Sequence, residues 1–425
     1  MSSPTLDRGA GRRLRISYIA SSYMPFLNGV SFAVHRRARW LLRRGHHVQL
    51  MRPQINDQFA SEVHQRDMPD VRELAAFPEF YDAPYPALPH PFSQTYPVPK
   101  SFRHWNVDEL LAEFQPDVIL LEDLPSLVGL SSPLGGGYRR PIATAYARRA
   151  HIPTVTLIET DWLKYAATYF GRVPLAMARP FLWPLFHWVF RAYDRHFYSA
   201  RSVLEEAVRF GICNAEVLAF HGVMADEYVP QNRRFDPIPN DPRPILLFVG
   251  RLVPEKNVTE LLDAFAHIHR RFPEAHLVIV GSGPLEHRLR ERAQVFGSSV
   301  SFVGEAFRET LKGWYARADL LVNPSTSETF CTTNIEALAS GTPVIAAASG
   351  GNLEQIIDGQ NGLLARPNDP RDLSEKIIGL LADPARLVTL SAQARDSVLH
   401  LDWNSCCERL EAKLLELIDR KQRSK

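Results

Sequence analysis

The chain has 425 residues, of which 49 are Lys or Arg and 47 are Asp or Glu, for a formal net charge of +2. Hydrophobic residues make up 45% and charged residues 23%, close to globular averages, which excludes a disordered or collagen-like chain. So balanced a charge argues against nucleic acid as a main partner. At about 150 residues per domain the length predicts two or three domains.

Residues 1–13 read as a loose, basic leader; no apolar run follows the arginines, so it lacks the pattern of a signal peptide. Residues 14–20 are strand-like, a turn-rich loop leads to Val30, residues 31–44 have helical periodicity, and 47–51 are strand-like again. That is a β-α-β unit, which implies a parallel sheet with right-handed crossovers. Residues 53–99 break the pattern: nine of the 32 prolines fall there, among Phe77, Phe80, Tyr81, Tyr85, Phe92 and Tyr96. The aromatics argue for order, and a long segment of this kind is commonly functional.

Strand patterns return at 117–121, 154–158 and 216–219. Five prolines within residues 228–244 mark a linker. Beyond it, 245–249, 277–280, 300–303, 319–322 and 344–346 are short apolar runs separated by helical stretches. Strands apolar on both faces suit a parallel sheet covered by helices. Residues 402–420 form an amphipathic helix. The expected architecture is α/β: two doubly wound, Rossmann-like domains facing each other across a cleft, 14–227 and 245–399.

Cys213, Cys331, Cys406 and Cys407 are too few and too irregular for a disulfide framework or a zinc site, and no metal-ligand spacing appears. Adjacent Cys406 and Cys407 read as reduced thiols. No window reaches the roughly 18 apolar residues of a spanning helix. The chain reads as cytoplasmic, with a surface suited to touching the inner face of a membrane.

Open α/β sheets bind ligands beyond the carboxyl ends of their strands. After 245–249 come Gly250-Arg251 and Lys256. Two cations there can hold a pyrophosphate, Arg251 as a fork and Lys256 as a point charge; an ordinary charged loop would look the same. Asn257 can cap the next helix. Gly281-Ser282-Gly283-Pro284 ends a strand and starts a helix with Pro284 in its first turn, shaping a nucleotide pocket or simply a tight turn.

Glu328 and Glu336 straddle a loop and the helix it feeds, about 12 Å apart if the span were helical. That separation suits holding two parts of one extended ligand better than sharing a proton. Free N–H groups at the helix start could take phosphate oxygens, with Glu336 on ribose hydroxyls and Glu328 on a sugar beyond them. The helix dipole favours Glu328 but leaves the pair unexplained. Asn28-Gly29 places a glycine where backbone can approach an anion, although Asn-Gly alone is a common turn.

In order and spacing, Asn28-Gly29, Gly250-Arg251 with Lys256, Gly281-Ser282-Gly283-Pro284, Glu328-x7-Glu336 with Ser340-Gly341-Thr342-Pro343-Val344, Gly350-Gly351 and Asn361-Gly362 resemble glycosyltransferase family 4, retaining nucleotide-sugar transferases of the GT-B fold. The resemblance implies that Arg251 and Lys256 neutralise the departing diphosphate of a UDP- or GDP-linked sugar, with Glu328 holding the sugar and Glu336 the ribose. It places Gly250, Gly283 and backbone N–H groups near Phe330, Cys331 and Thr332 at the donor, and Asn28 and Gly29 across from them. It implies same-face substitution in which the leaving phosphate takes the acceptor's proton, with no cofactor and no metal. Residues 400–425, with Asp402-Trp403 at the helix start, are similar to the family's last helix, which crosses back to the first domain.

The acceptor half departs from the family. Where many relatives carry a histidine after a strand, this chain has Glu122-Asp123, and a Tyr-His-Thr-Asp-like pattern reads Ile158-Glu159-Thr160-Asp161. Glu122, Asp123, Glu159 and Asp161 are the acceptor-side candidates. Thr329 and Cys331 replace glycines common in the Glu-x7-Glu loop. Within the family, residues 53–99 and 162–191 look most like bacterial and plastid enzymes that glycosylate diacylglycerol or phosphatidylinositol. Trp162, Tyr165, Tyr169, Trp183, Trp188 and Phe190, with Lys164, Arg172, Arg179 and Arg191, have the composition of a membrane-facing surface or of ordinary core. A membrane lipid is the expected acceptor. A soluble sugar or metabolite, or a nucleotide-sugar-binding regulator without catalysis, are the alternatives.

Overall fold

In the first sheet, β1 (Arg15–Ala20), β2 (His47–Gln54), β3 (Phe80–His90), β4 (Ser93–Pro99), β5 (Val118–Glu122), β6 (Thr154–Ile158), β7 (Arg195–Tyr198) and β8 (Ala215–Val217) lie in the order β4-β3-β2-β1-β5-β6-β7-β8. Neighbours pair in parallel except β3 with β4. β9 (Ile245–Val249), β10 (His276–Val280), β11 (Val300–Gly304), β12 (Leu320–Asn323), β13 (Val344–Ala347) and β14 (Gly362–Ala365) form a second, parallel sheet ordered β11-β10-β9-β12-β13-β14. That is the Rossmann order, with its switch point between β9 and β12. The computed structural model describes residues 12–23, 29–54, 71–90, 93–99, 107–122, 141–159, 184, 187–306 and 308–424.

The proline-rich segment is the main departure from the sequence expectation, because its second half extends the first sheet as β3 and β4. β3 pairs with β2 only over Phe80 to Pro86 and turns to β4 from Ala87 onward. Among the described residues the outer edge of its first half is therefore unpaired, which is where proline is tolerated in a sheet.

The apolar runs bury both faces of each sheet. On one face of the first, Ile16, Tyr18, Leu50, Leu120 and Phe197 pack with Val34 and Leu41 of the first helix, Gly29–Arg43. They also pack with Trp403, Leu410 and Leu414 of the last helix, Trp403–Arg423. Each such buried leucine contributes about 1.5–3 kcal/mol. The Asp402 side chain accepts the Asn404 N–H at 2.9 Å and starts that helix. The opposite face gathers Ile19, Met51, Ile119 and Leu121.

Leu218 and Phe220 belong to the first core, whereas Val223, Ala225 and Tyr228 belong to the second, so the backbone changes domain at Gly222. It returns between Leu401 and Trp403. The two crossings pair: Val223 N–H donates to the Leu401 carbonyl and Trp403 N–H to the Val223 carbonyl, both at 3.0 Å. A Cβ at Gly222 would lie 2.6 Å from the Leu401 carbonyl oxygen, so only glycine lets the strands pass this closely. Residues 228–244 are not an open tether. Tyr228 is buried, Pro230–Phe235 is a 3-10 helix, and Arg317 Nε lies 3.2 Å from the Asp236 carboxylate.

Candidate active site

The carboxyl ends of the two sheets face each other. Just beyond β7, the Ser199 hydroxyl donates to the Thr329 carbonyl at 3.3 Å and the Arg201 N–H to the Glu354 carboxylate at 3.0 Å. The Thr329 hydroxyl donates to the Glu159 carbonyl just beyond β6. The loops after β9 and β12 meet at this junction.

After β9, the Gly250 N–H donates back to Val280 at 3.0 Å, and Arg251 follows with its side chain 42% exposed and 3.4 Å from Glu255. The short turn Pro254–Lys256 delivers Lys256 Nζ to 2.6 Å from Glu328 Oε1. Burial alone would lower the pKa of the Lys256 ammonium, but the adjoining Glu328 carboxylate outweighs it and the net shift is upward. The sequence placed both residues in the site but gave no sign that they pair. Asn257 occupies the cap position of the helix Val258–Arg271, yet its side chain makes no capping bond. It donates instead to the Pro324 carbonyl at 3.2 Å, tying the lysine loop to the Glu328 loop.

Gly283 lies against the Leu252 backbone. The Leu252 N–H donates to Ser282 at 2.8 Å, and Leu285 N–H donates to Leu252 at 3.0 Å. This pairing occupies the segment around Pro284, so the helix begins at Glu286 rather than at the proline.

The Glu328 loop rests on Gly350-Gly351. Gly351 N–H donates to the Glu328 carbonyl at 2.6 Å, and a Cβ at Gly350 (φ +55°) would lie 2.1 Å from that oxygen. Beneath the loop runs a buried amide network in which Asn323 donates to Asn334 at 2.9 Å and to Asn352 at 3.2 Å. The Cys331 sulfur joins it, 3.2 Å from Asn323, and burial pushes that thiol up to about 12, so it stays protonated near neutrality. Phe330 and Cys331 lead into the helix Thr332–Ala339, which carries Glu336. The Tyr315 hydroxyl donates to Glu336 Oε2 at 2.9 Å, and Tyr228 also hydrogen-bonds it. Burial raises the Glu336 pKa, with the phenols and Arg36 pulling the other way. Sequence reading missed both tyrosines: one lies in the supposed linker and the other in an ordinary helix, and only the fold joins them.

The acceptor-side candidates separate. Asn28, Asp123 and Asp161 lie outside the described residues, and Gly29 opens the first helix in an exposed position. Glu122 ends β5 with no exposure at all. Its oxygens accept from Arg37 Nη1 at 2.8 and 2.6 Å and from the Tyr18 hydroxyl. The expectation that Glu122 meets an acceptor is corrected: Arg37, reaching down from the first helix, closes it off. Glu159 is also buried, 3.0 Å from His221 Nε2 and 3.8 Å from Arg37 Nη2.

Of the aromatics expected at a membrane surface, Trp188 and Phe190 are described. Trp188 is 37% exposed and Phe190 is core. Trp188 lines a groove of about 570 Å³ with Thr144, Arg148, His187 and Arg191. Among the described residues no helix is long and apolar enough to cross a membrane, and no group of three or more His, Cys, Asp or Glu is placed to hold a metal ion.

Comparison with known proteins decides the family. Residues 28–221 match the family described as "Glycosyl transferase 4-like domain" and residues 230–397 the family "Glycosyl transferases group 1". The chain belongs to the family 4 glycosyltransferases. It is 29% identical, over 93% of its own length and 95% of the other, to a GDP-mannose-dependent alpha-mannosyltransferase of Mycobacterium tuberculosis. To a sulfoquinovosyl transferase of Arabidopsis thaliana it is 27% identical, covering 76% of this chain and 61% of that one. A sucrose-phosphate synthase from Thermosynechococcus elongatus superposes with a TM-score of 0.72 at 21% identity, over 96% of this chain and 100% of that one, and so shares the GT-B fold. This glycosyltransferase uses a nucleotide sugar, and the matched segments lie on either side of the Gly222 crossing, one ending at residue 221 and the other beginning at residue 230.

Proposed function

We propose that the enzyme moves a hexosyl group, with retention and without a metal, from a nucleoside-diphosphate sugar to a hydroxyl of a membrane lipid such as diacylglycerol or phosphatidylinositol. The observation that carries this reading is the Lys256–Glu328 pair, 2.6 Å apart at the switch point of the second sheet, with Arg251 beside it. On donor binding the diphosphate takes over Lys256, and Glu328 is released to accept hydroxyls of the sugar. Glu336, braced by two tyrosines, accepts from the ribose.

In the transfer step the bond from the anomeric carbon to the β-phosphate oxygen breaks as the acceptor oxygen bonds to the same face of that carbon. The acceptor's proton passes to the departing phosphate oxygen, so no protein base is needed. Arg251 and Lys256 stabilise the negative charge that grows on the diphosphate, the kind of preorganised electrostatics that lowers a barrier most. GDP-mannose is the first donor to try, because relatives matching nearly the whole chain are named for it. The lipid acceptor is supported by the groove beside exposed Trp188, where Arg148 and Arg191 offer two cations to an anionic headgroup.

The test is label transfer, in EDTA, from a panel of radiolabelled nucleotide sugars to liposomes containing diacylglycerol and phosphatidylinositol, with Glu336→Ala as the blank. Label in the organic phase is the expected result. Label confined to the aqueous phase would replace the lipid with a soluble acceptor, and loss of transfer in EDTA that returns with added metal would overturn metal independence.

A further inference from the structure

The N-terminal domain reaches the Glu328 loop through a histidine. His221 is buried, and its ring stacks on that of Phe330 with centroids 5.3 Å apart and planes 20° apart, inside the range of a favourable aromatic pair. Behind the imidazole, Glu159 Oε1 lies 3.0 Å from Nε2 without the alignment of a hydrogen bond. Glu159 is backed by Arg37, and Arg37 by Glu122, all within the first domain's interior. The His221 carbonyl accepts from Cys406 of the last helix at 2.9 Å, and the next residue is Gly222, where the chain crosses. Phe330 lies two residues beyond Glu328, and the intervening Thr329 is bonded on both sides to the first domain.

We propose that His221 is a positioning residue: held from behind by Glu159, it clamps Phe330 and sets the Glu328–Cys331 loop in the geometry that receives the donor. The loop is thereby correct only when the domains are together. The stack and the two Thr329 bonds all run between the first domain and this one loop. This inference rests on the donor-site reading above. It also gives the departures from the family pattern a use, since Glu122 and Glu159 serve the clamp instead of an acceptor.

The test is steady-state kinetics with whichever sugar nucleotide of the panel turns over, on His221→Ala, His221→Phe, Phe330→Leu and the double variant His221→Ala/Phe330→Leu. The clamp predicts that His221→Ala raises donor KM about 3- to 10-fold, the range of an aromatic pair, with kcat changed less. It predicts that His221→Phe, which keeps a ring on Phe330 but loses the Glu159 contact, raises donor KM less than His221→Ala does, and that His221→Ala adds nothing in the Phe330→Leu background. The same fold-change in both backgrounds, or an unchanged KM in folded His221→Ala, would overturn it. Should the alanine variant fail to fold, His221→Leu against His221→Phe makes the same comparison with the core filled. Lys256→Ala and Glu328→Gln separate the two ideas. If both bind GDP- and UDP-linked sugars as wild type does, the donor site itself is misplaced. If they lose binding while His221→Ala does not, only the clamp fails.

Discussion

Each domain sets a basic side chain against a glutamate at the end of a central strand or in the loop that follows it, and the two pairs differ in access to water. Arg37–Glu122 at 2.6 Å is fully sealed on both sides, whereas Lys256–Glu328, also at 2.6 Å, keeps 22% and 9% of its side chains exposed. The sealed pair has its oxygens taken by a guanidinium and a phenol, so no ligand can exchange into it. The open pair is reached by solvent and has Arg251 close to the lysine, so a diphosphate can take over the lysine. The same chemistry is therefore scaffold in one domain and, in the function proposed above, a binding site in the other.

The largest expected effect is on the sealed side. Arg37→Met leaves Glu122 buried without its partner and should cost about 3–5 kcal/mol in urea unfolding. Adding Glu122→Leu should return most of it, because an apolar pair of similar volume avoids the orphaned charge. A loss below about 1 kcal/mol, small for breaking a buried pair, would mean that water reaches Glu122 and the contrast between the pairs dissolves. On the open side the cost falls on rate. Lys256→Ala should lower kcat/KM by about 10²–10³ while its unfolding midpoint barely moves.

Glu336 sharpens the contrast through pH. Burial raises its pKa, so its anion forms at higher pH than that of an exposed glutamate. A ribose hydroxyl donates best to the anion. Donor affinity should therefore rise with pH through that raised pKa, by an amount corresponding to about 1.5–3 kcal/mol for a charged hydrogen bond. Glu336→Gln should flatten the profile, and an unchanged slope would remove Glu336 from the site. Gly350→Ala tests the position of the Glu328 loop itself. A side chain in the left-handed region costs about 1–2 kcal/mol, and the new Cβ presses on the Glu328 carbonyl. Melting temperature and donor KM should both suffer, and a change in melting alone would mean that the loop position does not matter.

Much of the second domain was legible because its information is local. Ile245–Val249 is apolar throughout and His276–Val280 is apolar after its histidine, and both run into glycines; Arg251, Lys256 and Glu328 stand in the loops after strands and Glu336 in the helix that follows, where spacing along the chain reports position. The first domain hid its organisation in long-range contacts. Nothing in the sequence near Glu122 announces Arg37, 85 residues away, and nothing near Glu336 announces Tyr228 or Tyr315. Prolines at 84, 86 and 89 spoke against a strand; the first two lie in the half of β3 that pairs only with β2, and Pro89 lies opposite Pro97 in the half that pairs only with β4. Asn257 met the local rule for a cap but found a better partner across the site in Pro324.

The most direct measurement is calorimetric titration of GDP and UDP into the wild type, Lys256→Ala and Glu328→Gln, with matched melting curves. If the open pair is the donor's entry point, Lys256→Ala loses diphosphate affinity by at least about tenfold, near 1.4 kcal/mol. Glu328→Gln binds diphosphate as well as the wild type or better, because its lysine is no longer engaged. Equal affinity in Lys256→Ala and the wild type, with both proteins folded, would contradict the account and move the donor elsewhere.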